Sequence, residues 1–365
     1  MTIDLHPTQT PLSDEERRQR LQSPGFGRIF TEHMISIKYT ADKGWGPSTL
    51  VPYGPITLDP AAAVLHYGQA IFEGFKAYRH ANGGIVTFRP EANALRFAAS
   101  ARRLAMPELP VNRFLEAARV LITQDQAWVP SREGESLYIR PLLVATEAFL
   151  GVRPSHEYLF LLFASPAGAY FPGGVKPVTV WISDDYVRAA PGGTGAAKCA
   201  GNYAASLVAQ SKALEQGCDQ VVWLDAVERH WVEEMGGMNI FFVFERGGYP
   251  RLVTPSLESG TLLPGITRDS LLTLARDLGL EAEERRVSVE EWDEGLEIGL
   301  IKEVFACGTA AVITPIGTVK SKRGTWEVGD GKAGPIATRL RTLLLDVQPG
   351  RVPDTHGWLT VMVPA

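Results

Sequence analysis

A ten-residue passage near the middle of the chain, GAYFPGGVKP from Gly168 to Pro177, limits the possible folds more than any other stretch. It follows YLFLLFAS, an apolar run that reads as a buried strand, and it is dense in glycine and proline, which end regular structure. No helical pattern follows to carry the chain back across a sheet, so the passage reads as a boundary. With 365 residues there is chain enough for a separate core on either side.

The expected division is a polar N-terminal arm over residues 1–24, a smaller domain over 25–168, a connecting loop over 169–177 and a larger domain over 178–365. In the first domain HMISIKY, GPITL, AIFEGFKAYRH and GIVTFRP have the alternation and turn residues of short strands. NALRFAASARRLAMPEL predicts a helix with Leu95, Ala98, Ala99 and Leu104 on its apolar side. Val111 to Gln124 predicts another through Phe114, Ala118 and Leu121. SLYIRPLLVATE and YLFLLFAS add buried strands. The second half predicts strands at VTVWISD, QVVWLDA, HWVEEM, NIFFVFE and EVFACGTAAVITPIGTV. Helices are expected from Tyr203 to Leu214, over TRDSLLTLARDLGL and around Val289 to Gly295. The class is α+β or α/β, with a mixed or barrel-like sheet and helices in each domain.

The chemistry starts at GGTGAAKCAGNYAAS, Gly192 to Ser206, where Lys198 stands alone among glycines and alanines. Gly192, Gly193, Gly195 and Gly201 leave room for a flat ligand, and small apolar neighbours disfavour the charged ammonium. Only a neutral amine attacks a carbonyl, so this setting suits an imine-forming lysine. A surface turn whose lysine points to water fits the same residues.

Three further signals bear on that choice. In PGITRDSLL, Pro264 and Gly265 turn the chain, and Ile266 and Thr267 supply the first amides of a helix, a ready phosphate site. Thr267 as an ordinary N-cap is the plainer reading, but it leaves Gly265 unexplained. In VEEMGGMN, strand alternation points one of Glu233 and Glu234 outward and the other inward, where it needs a cationic or N–H partner. In FACGTAAVITP the amides of a Gly308-Thr309-Ala310 turn can meet an anion, although such a turn is often only a turn. Lysine, phosphate cradle, buried carboxylate and anion-binding turn together describe a site for pyridoxal 5'-phosphate.

These motifs, in this order, resemble the branched-chain amino-acid aminotransferases of PLP fold type IV, the fold of D-amino-acid aminotransferase. The resemblance runs through FGRIFTEHM, LHYGQAIFEGFKAYR, FRPEANALRFAASARRL, SLYIRPLLVATEAFLGV, GAYFPGG, GNYAASL, EEMGGMN, LPGITRDSLL and EVFACGTA. It implies that Lys198 forms the imine, Tyr203 bonds the phenolic oxygen of the cofactor and Glu234 faces the pyridine nitrogen. Arg96, the Ile266 and Thr267 amides and the Thr309 hydroxyl would hold the phosphate. Phe26, Tyr67, Phe72, Tyr138 and Tyr170 would wall an apolar pocket, with Leu150 and Val152 reaching in from the second copy of a homodimer. Arg140 would meet the side-chain carboxylate of glutamate beside Tyr138, and the Thr309 and Ala310 amides would take the α-carboxylate. The implied reaction is ping-pong transfer of an amino group between leucine, isoleucine or valine and 2-oxoglutarate.

Composition narrows the partners. A net charge of -5 without a dense basic block argues against a nucleic-acid surface, and no apolar run reaches the roughly 18 residues of a membrane span. Cys199, Cys218 and Cys307 are too scattered for a disulfide framework or a zinc site, which fits a reducing cytoplasm and no metal. The N-terminus has neither the charge pattern nor the apolar segment of a signal peptide. Two departures from relatives stand out. Ala311 and Thr314 replace a C-x-x-C found in many animal members, so no thiol switch is expected there, and Gly237 takes a position that is threonine in some relatives. The rival functions are a D-amino-acid aminotransferase, an aminodeoxychorismate lyase-like enzyme and a PLP-binding protein without turnover.

Overall fold

The computed structural model describes residues 3–168 and 175–365. Its chain divides into two compact units: Met1–Pro172 with Ala197–Ala200 and Asp346–Ala365, and Gly173–Ala196 with Gly201–Leu345.

The first unit opens with β1 (Asp4–Leu5) and α1 (Asp14–Gln22), followed by β2 (His33–Thr40), β3 (Gly44–Pro52), α2 (Ala63–Tyr67), β4 (Ala70–Phe72), β5 (Phe75–Arg79) and β6 (Ile85–Phe88). Then come α3 (Pro90–Arg103), α4 (Val111–Gln124), β7 (Ser136–Ala145) and β8 (Glu157–Ala167). The sheet runs β1-β3-β2-β8-β7-β5-β6, and β4 pairs with β7. Against it pack the apolar sides of α3 and α4, where Phe97, Phe114 and Phe160 meet edge to face or tilted at 5.7–6.4 Å.

Three expectations change here. The described part of the polar N-terminal arm, residues 3–24, carries regular structure: β1 joins β3 and α1 is closed by a capping box between Ser13 and Glu16. GPITL forms no strand. The ladder falls on Gly44–Pro52 instead, a register that sets Leu50 opposite Ile35 in the core. On α3 the buried stripe is Ala94, Phe97, Ala98 and Ala101, one position round from the expected face, and Leu95 is exposed.

The second unit contains β9 (Val178–Ser183), α5 (Ala200–Ala204), α6 (Leu207–Glu215), β10 (Gln220–Leu224), β11 (Val232–Met235), β12 (Met238–Arg246) and β13 (Tyr249–Thr254). It continues with α7 (Ile266–Asp277), β14 (Glu281–Glu284), α8 (Val289–Glu297), β15 (Ile301–Gly308), β16 (Val312–Ser321), β17 (Gly324–Glu327) and α9 (Pro335–Val347). The strands run β11-β10-β9-β16-β15-β12, and a further β11–β12 pairing closes them into a barrel-like ring around Val222, Ile240, Phe242 and Trp292. The helix expected from Tyr203 to Leu214 is two helices. Ser206 turns its amide and hydroxyl back on the Tyr203 carbonyl, at 3.1 and 2.7 Å, and so competes with the helical ladder.

The last strand, β18 (Leu359–Val363), pairs with β6. The expected domain over 178–365 is therefore corrected at two places. This ladder puts the C-terminal residues in the first unit, and hydrogen bonds described below put Ala197–Ala200 there as well. Among the described residues no helix is long and apolar enough to cross a membrane, and no group of His, Cys, Asp or Glu side chains is arranged to hold a metal ion.

Candidate active site

In the first unit the backbone of Lys198 is fastened on both sides. Phe72 N donates to its carbonyl at 3.0 Å, and its own N–H donates to Ser100 Oγ on α3 at 2.9 Å. The neighbouring Cys199 makes a bridge to Ile71. Lys198 Nζ lies 4.8 Å from the centre of the Phe72 ring. Part of the residue's surface remains accessible, but protein encloses the amine, and that burial pushes its pKa down. The positive charge of Arg96 acts in the same direction, while Glu73 opposes it. A surface lysine would show neither feature.

Around the amine the strands place the other expected residues of this unit. Tyr138 and Arg140, two apart on β7, share a face, and Arg140 Nη2 donates to the Tyr138 hydroxyl at 3.2 Å. The Arg140 guanidinium stacks 4.8 Å from the Phe72 ring, and Phe26 meets Tyr138 edge-on at 5.1 Å. Gly74 permits this packing, because a β-carbon there would overlap the Tyr138 hydroxyl. Tyr67, at the end of α2, donates its hydroxyl to the Leu150 carbonyl. Leu150 and Val152 themselves are 70% and 88% exposed. Tyr170 lies outside the described residues.

In the second unit Glu234 is buried and held from two sides. Its Oε1 accepts from Leu263 N at 2.8 Å and lies 3.4 Å from Asn239 Nδ2. Arg188 Nε forms an ion pair with Oε2 at 3.1 Å, without the alignment of a hydrogen bond. The expectation that one of Glu233 and Glu234 faces outward is corrected: both are buried, because the segment Thr261 to Leu263 lies against β11 and bonds each of them. Glu233 accepts from the Thr261 hydroxyl, and burial raises its pKa.

Gly265 is the N-cap of α7 and offers no side-chain cap. Thr267 sits at the second helical position and not at the cap, so the helix starts without a side-chain cap from its N-cap residue. The need for glycine is now explained. A β-carbon at 265 would overlap Asn239 Oδ1, and Asn239 is the residue that bonds Leu263 O at 3.1 Å and approaches Glu234. One asparagine thus ties the carboxylate to the helix start. Tyr203 Cε1 comes within 3.5 Å of where a Gly237 β-carbon would stand, which sets the phenol beside the β11–β12 turn. Thr309 and Ala310 form the half-buried turn between β15 and β16, followed by Val312 in a left-handed conformation, φ 64°. That geometry is rare for a β-branched residue and marks the turn as constrained by its surroundings.

Residues 70–319 match the model of a protein family described as Amino-transferase class IV. The chain belongs to this family. This class IV aminotransferase is 60% identical over 359 residues to a probable branched-chain-amino-acid aminotransferase of Streptomyces coelicolor, covering 98% of each chain. It is 62% identical over 350 residues to a branched-chain-amino-acid aminotransferase of Mycolicibacterium smegmatis, covering 96% of this chain and 95% of the relative. Among solved structures, the branched-chain amino acid aminotransferase of Escherichia coli superposes with a TM-score of 0.74 at 29% identity, over 91% of this chain and 99% of that one. A second branched-chain amino acid aminotransferase, solved as a complex with N-(5'-phosphopyridoxyl)-L-glutamate, gives 0.73 at 30% identity, over 92% and 100%.

Sequence reasoning missed three residues that hold the expected site residues in place. They are Glu73, ion-paired to Arg96; Arg188, ion-paired to Glu234; and Asn239. Glu73 left one trace, a carboxylate between the aromatics of IFEGF in a segment otherwise built for burial. The other two look like unremarked polar residues until the fold closes.

Proposed function

We propose that this class IV aminotransferase binds pyridoxal 5'-phosphate and exchanges the amino group between L-leucine, L-isoleucine or L-valine and 2-oxoglutarate. The observation that carries the reading is the depressed, enclosed amine of Lys198 in a chain about 60% identical, over nearly its full length, to proteins named for that reaction. The residues also fit the cofactor's three chemical needs: an amine held toward its neutral form, a helix start without a capping side chain, and a buried carboxylate on strand β11.

When bound, the cofactor supplies an aldehyde for imine formation and a ring that draws electron density from the substrate's Cα. The α7 amides of Ile266 and Thr267, the Thr309 hydroxyl and Arg96 would hold the phosphate. Tyr203 would bond the phenolic oxygen. Glu234, which accepts from the Leu263 amide and pairs with the Arg188 guanidinium, would face the ring nitrogen. Lys198 Nζ would act as the base that moves the substrate's Cα proton. Burial and the charge of Arg96 hold its pKa below the ordinary lysine value, which favours the neutral amine that a base requires.

For the substrate, Phe26, Tyr67, Phe72 and Tyr138 wall an apolar pocket. Arg140, stacked on Phe72 and bonded to Tyr138, stands where the side-chain carboxylate of glutamate needs a cation. The amides of Thr309 and Ala310 take the α-carboxylate. The enzyme works as a homodimer whose exposed Leu150 and Val152 complete the second copy's pocket, and it acts in the cytoplasm, where its buried cysteines stay reduced.

The test is spectroscopic. Protein loaded with pyridoxal 5'-phosphate should lose its yellow absorption for that of the pyridoxamine form when L-leucine is added, and regain it with 2-oxoglutarate. Conversion by D-alanine and not by L-leucine would move the chain to a D-amino-acid aminotransferase, and no conversion by either would leave a binding protein.

A further inference from the structure

We propose that Glu73 is a positioning residue: it fixes the guanidinium plane of Arg96 for the cofactor phosphate and sets the charge beside Lys198. The proposal rests on the reading of Arg96 as a phosphate ligand. Glu73 is fully buried in the link between β4 and β5. Its Oε1 accepts from Arg96 Nε at 2.6 Å and its Oε2 from Arg96 Nη2 at 2.9 Å, a two-pronged grip that leaves the guanidinium one orientation. Oε2 also accepts from Gly74 N at 3.0 Å, and the Glu73 amide donates to Pro141 O at 2.9 Å, so the carboxylate is itself anchored.

Stability alone is a poor reason for such a pair, since apolar side chains of the same volume commonly do as well in a buried site. Its place in the fold supplies a better one. Phe72, next to Glu73, holds the Lys198 carbonyl, and Ser100, one helical turn after Arg96, accepts the Lys198 N–H. The Glu73–Arg96 pair thus ties together the same two elements that fasten the lysine. It is also an electrostatic counterweight. Arg96 disfavours the protonated amine of Lys198 and Glu73 favours it, so removing the carboxylate leaves the cationic side chain of Arg96 unopposed.

The experiment reconstitutes Glu73→Gln with pyridoxal 5'-phosphate and, separately, with pyridoxal, which lacks the phosphate. Both dissociation constants are measured, and the visible absorption of the loaded protein is titrated with pH. The expected result is binding of the phosphorylated cofactor weakened about tenfold or more, with pyridoxal changed far less. The imine should lose its proton at a lower pH than in the unsubstituted protein, and Glu73→Asp should recover part of both effects. Equal weakening for the two cofactors would show a merely structural role and overturn the proposal, as would unchanged binding of the phosphorylated one. If Glu73→Gln does not fold, Glu73→Asp carries the same comparison. Arg96→Lys separates the two readings. If it leaves phosphate-dependent binding intact, the role of Arg96 is wrong; if it weakens binding while Glu73→Gln does not, only the role of Glu73 is.

Discussion

Gly265→Ala should destabilise this protein, and the reason can be traced atom by atom. The backbone is not the cause, because φ -68° and ψ 129° suit alanine as well as glycine. At such a site the substitution ordinarily stabilises by roughly 0.4–1 kcal/mol, since the unfolded chain loses freedom. Here the added methyl overlaps Asn239 Oδ1 and comes within 3.2 Å of Arg268 Cβ. Asn239 is buried on β12 and can retreat only by giving up its bond to the Leu263 carbonyl. A buried bond left unmade costs roughly 1–3 kcal/mol, and overpacking costs a similar amount. A loss of about 3 kcal/mol, at roughly 2–4 °C per kcal/mol for a unit of this size, lowers the thermal midpoint by about 6–12 °C. Thermal unfolding followed by circular dichroism, on Gly265→Ala, Asn239→Ala and the double variant, isolates the cause. Asn239→Ala removes the atom that the methyl strikes, so the second substitution should cost at least about 1 kcal/mol less on that background. Strict additivity, or a midpoint for Gly265→Ala at or above the unsubstituted value, would refute the argument.

Other outcomes follow from the same geometry. Lys198→Ala should abolish transamination while keeping some cofactor binding through the phosphate contacts; retained turnover in a stopped-flow assay would mean that another lysine carries the imine. Arg140→Ala should lower kcat/KM for glutamate by about ten- to a hundredfold, the worth of a charge-assisted hydrogen bond, and that for leucine far less. Equal losses would remove Arg140 from its role. Glu147 bears on the loop that carries Leu150 and Val152. The Arg153 guanidinium grips it at 2.6 and 3.0 Å, and the His156 amide adds a bond, holding its pKa at about 2. With the folded-state pKa below the unfolded one, this clamp stabilises fully above pH 4.5, and its contribution is lost as the pH falls toward 2. The difference in stability between the unsubstituted protein and Glu147→Gln should therefore shrink across that window, and a constant difference in urea titrations would contradict it.

Much of the fold was legible where local rules and burial agree. Phe114, Ala118 and Leu121 recur at helical spacing, and all three are buried on α4. Leu271, Leu272, Leu274 and Ala275 form the buried face of α7. The capping box at Ser13 and Glu16 was equally visible in SDEE, and reading the N-terminus by its polarity alone concealed it. The stripe of α3 was misplaced because Leu95 is the most apolar residue in its turn and yet faces outward, while small Ala94 and Ala101 are buried against the sheet. Packing against the sheet set the stripe there, and large Phe97 is buried together with small Ala94 and Ala101. In the site, the motifs pointed to Lys198, Glu234 and the start of α7. Of the residues that hold them, Arg188 and Asn239 were silent, because a lone arginine or asparagine has no periodicity to read.

What the sequence determined by itself is local: where helices and strands can form, where glycine breaks them, and which short motifs carry an amine, a carboxylate and bare helix amides. What tertiary structure decided is pairing at long range. Glu303 accepts from the Ile336 and Ala337 amides at 2.9 and 2.8 Å and so caps α9 from more than thirty residues away. The last strand joins one that begins at Ile85, and Glu73 finds Arg96 past two intervening strands. Buried charges and helix ends must be satisfied by some partner, but the requirement names only the chemistry of that partner, and folding alone selects which residue meets it.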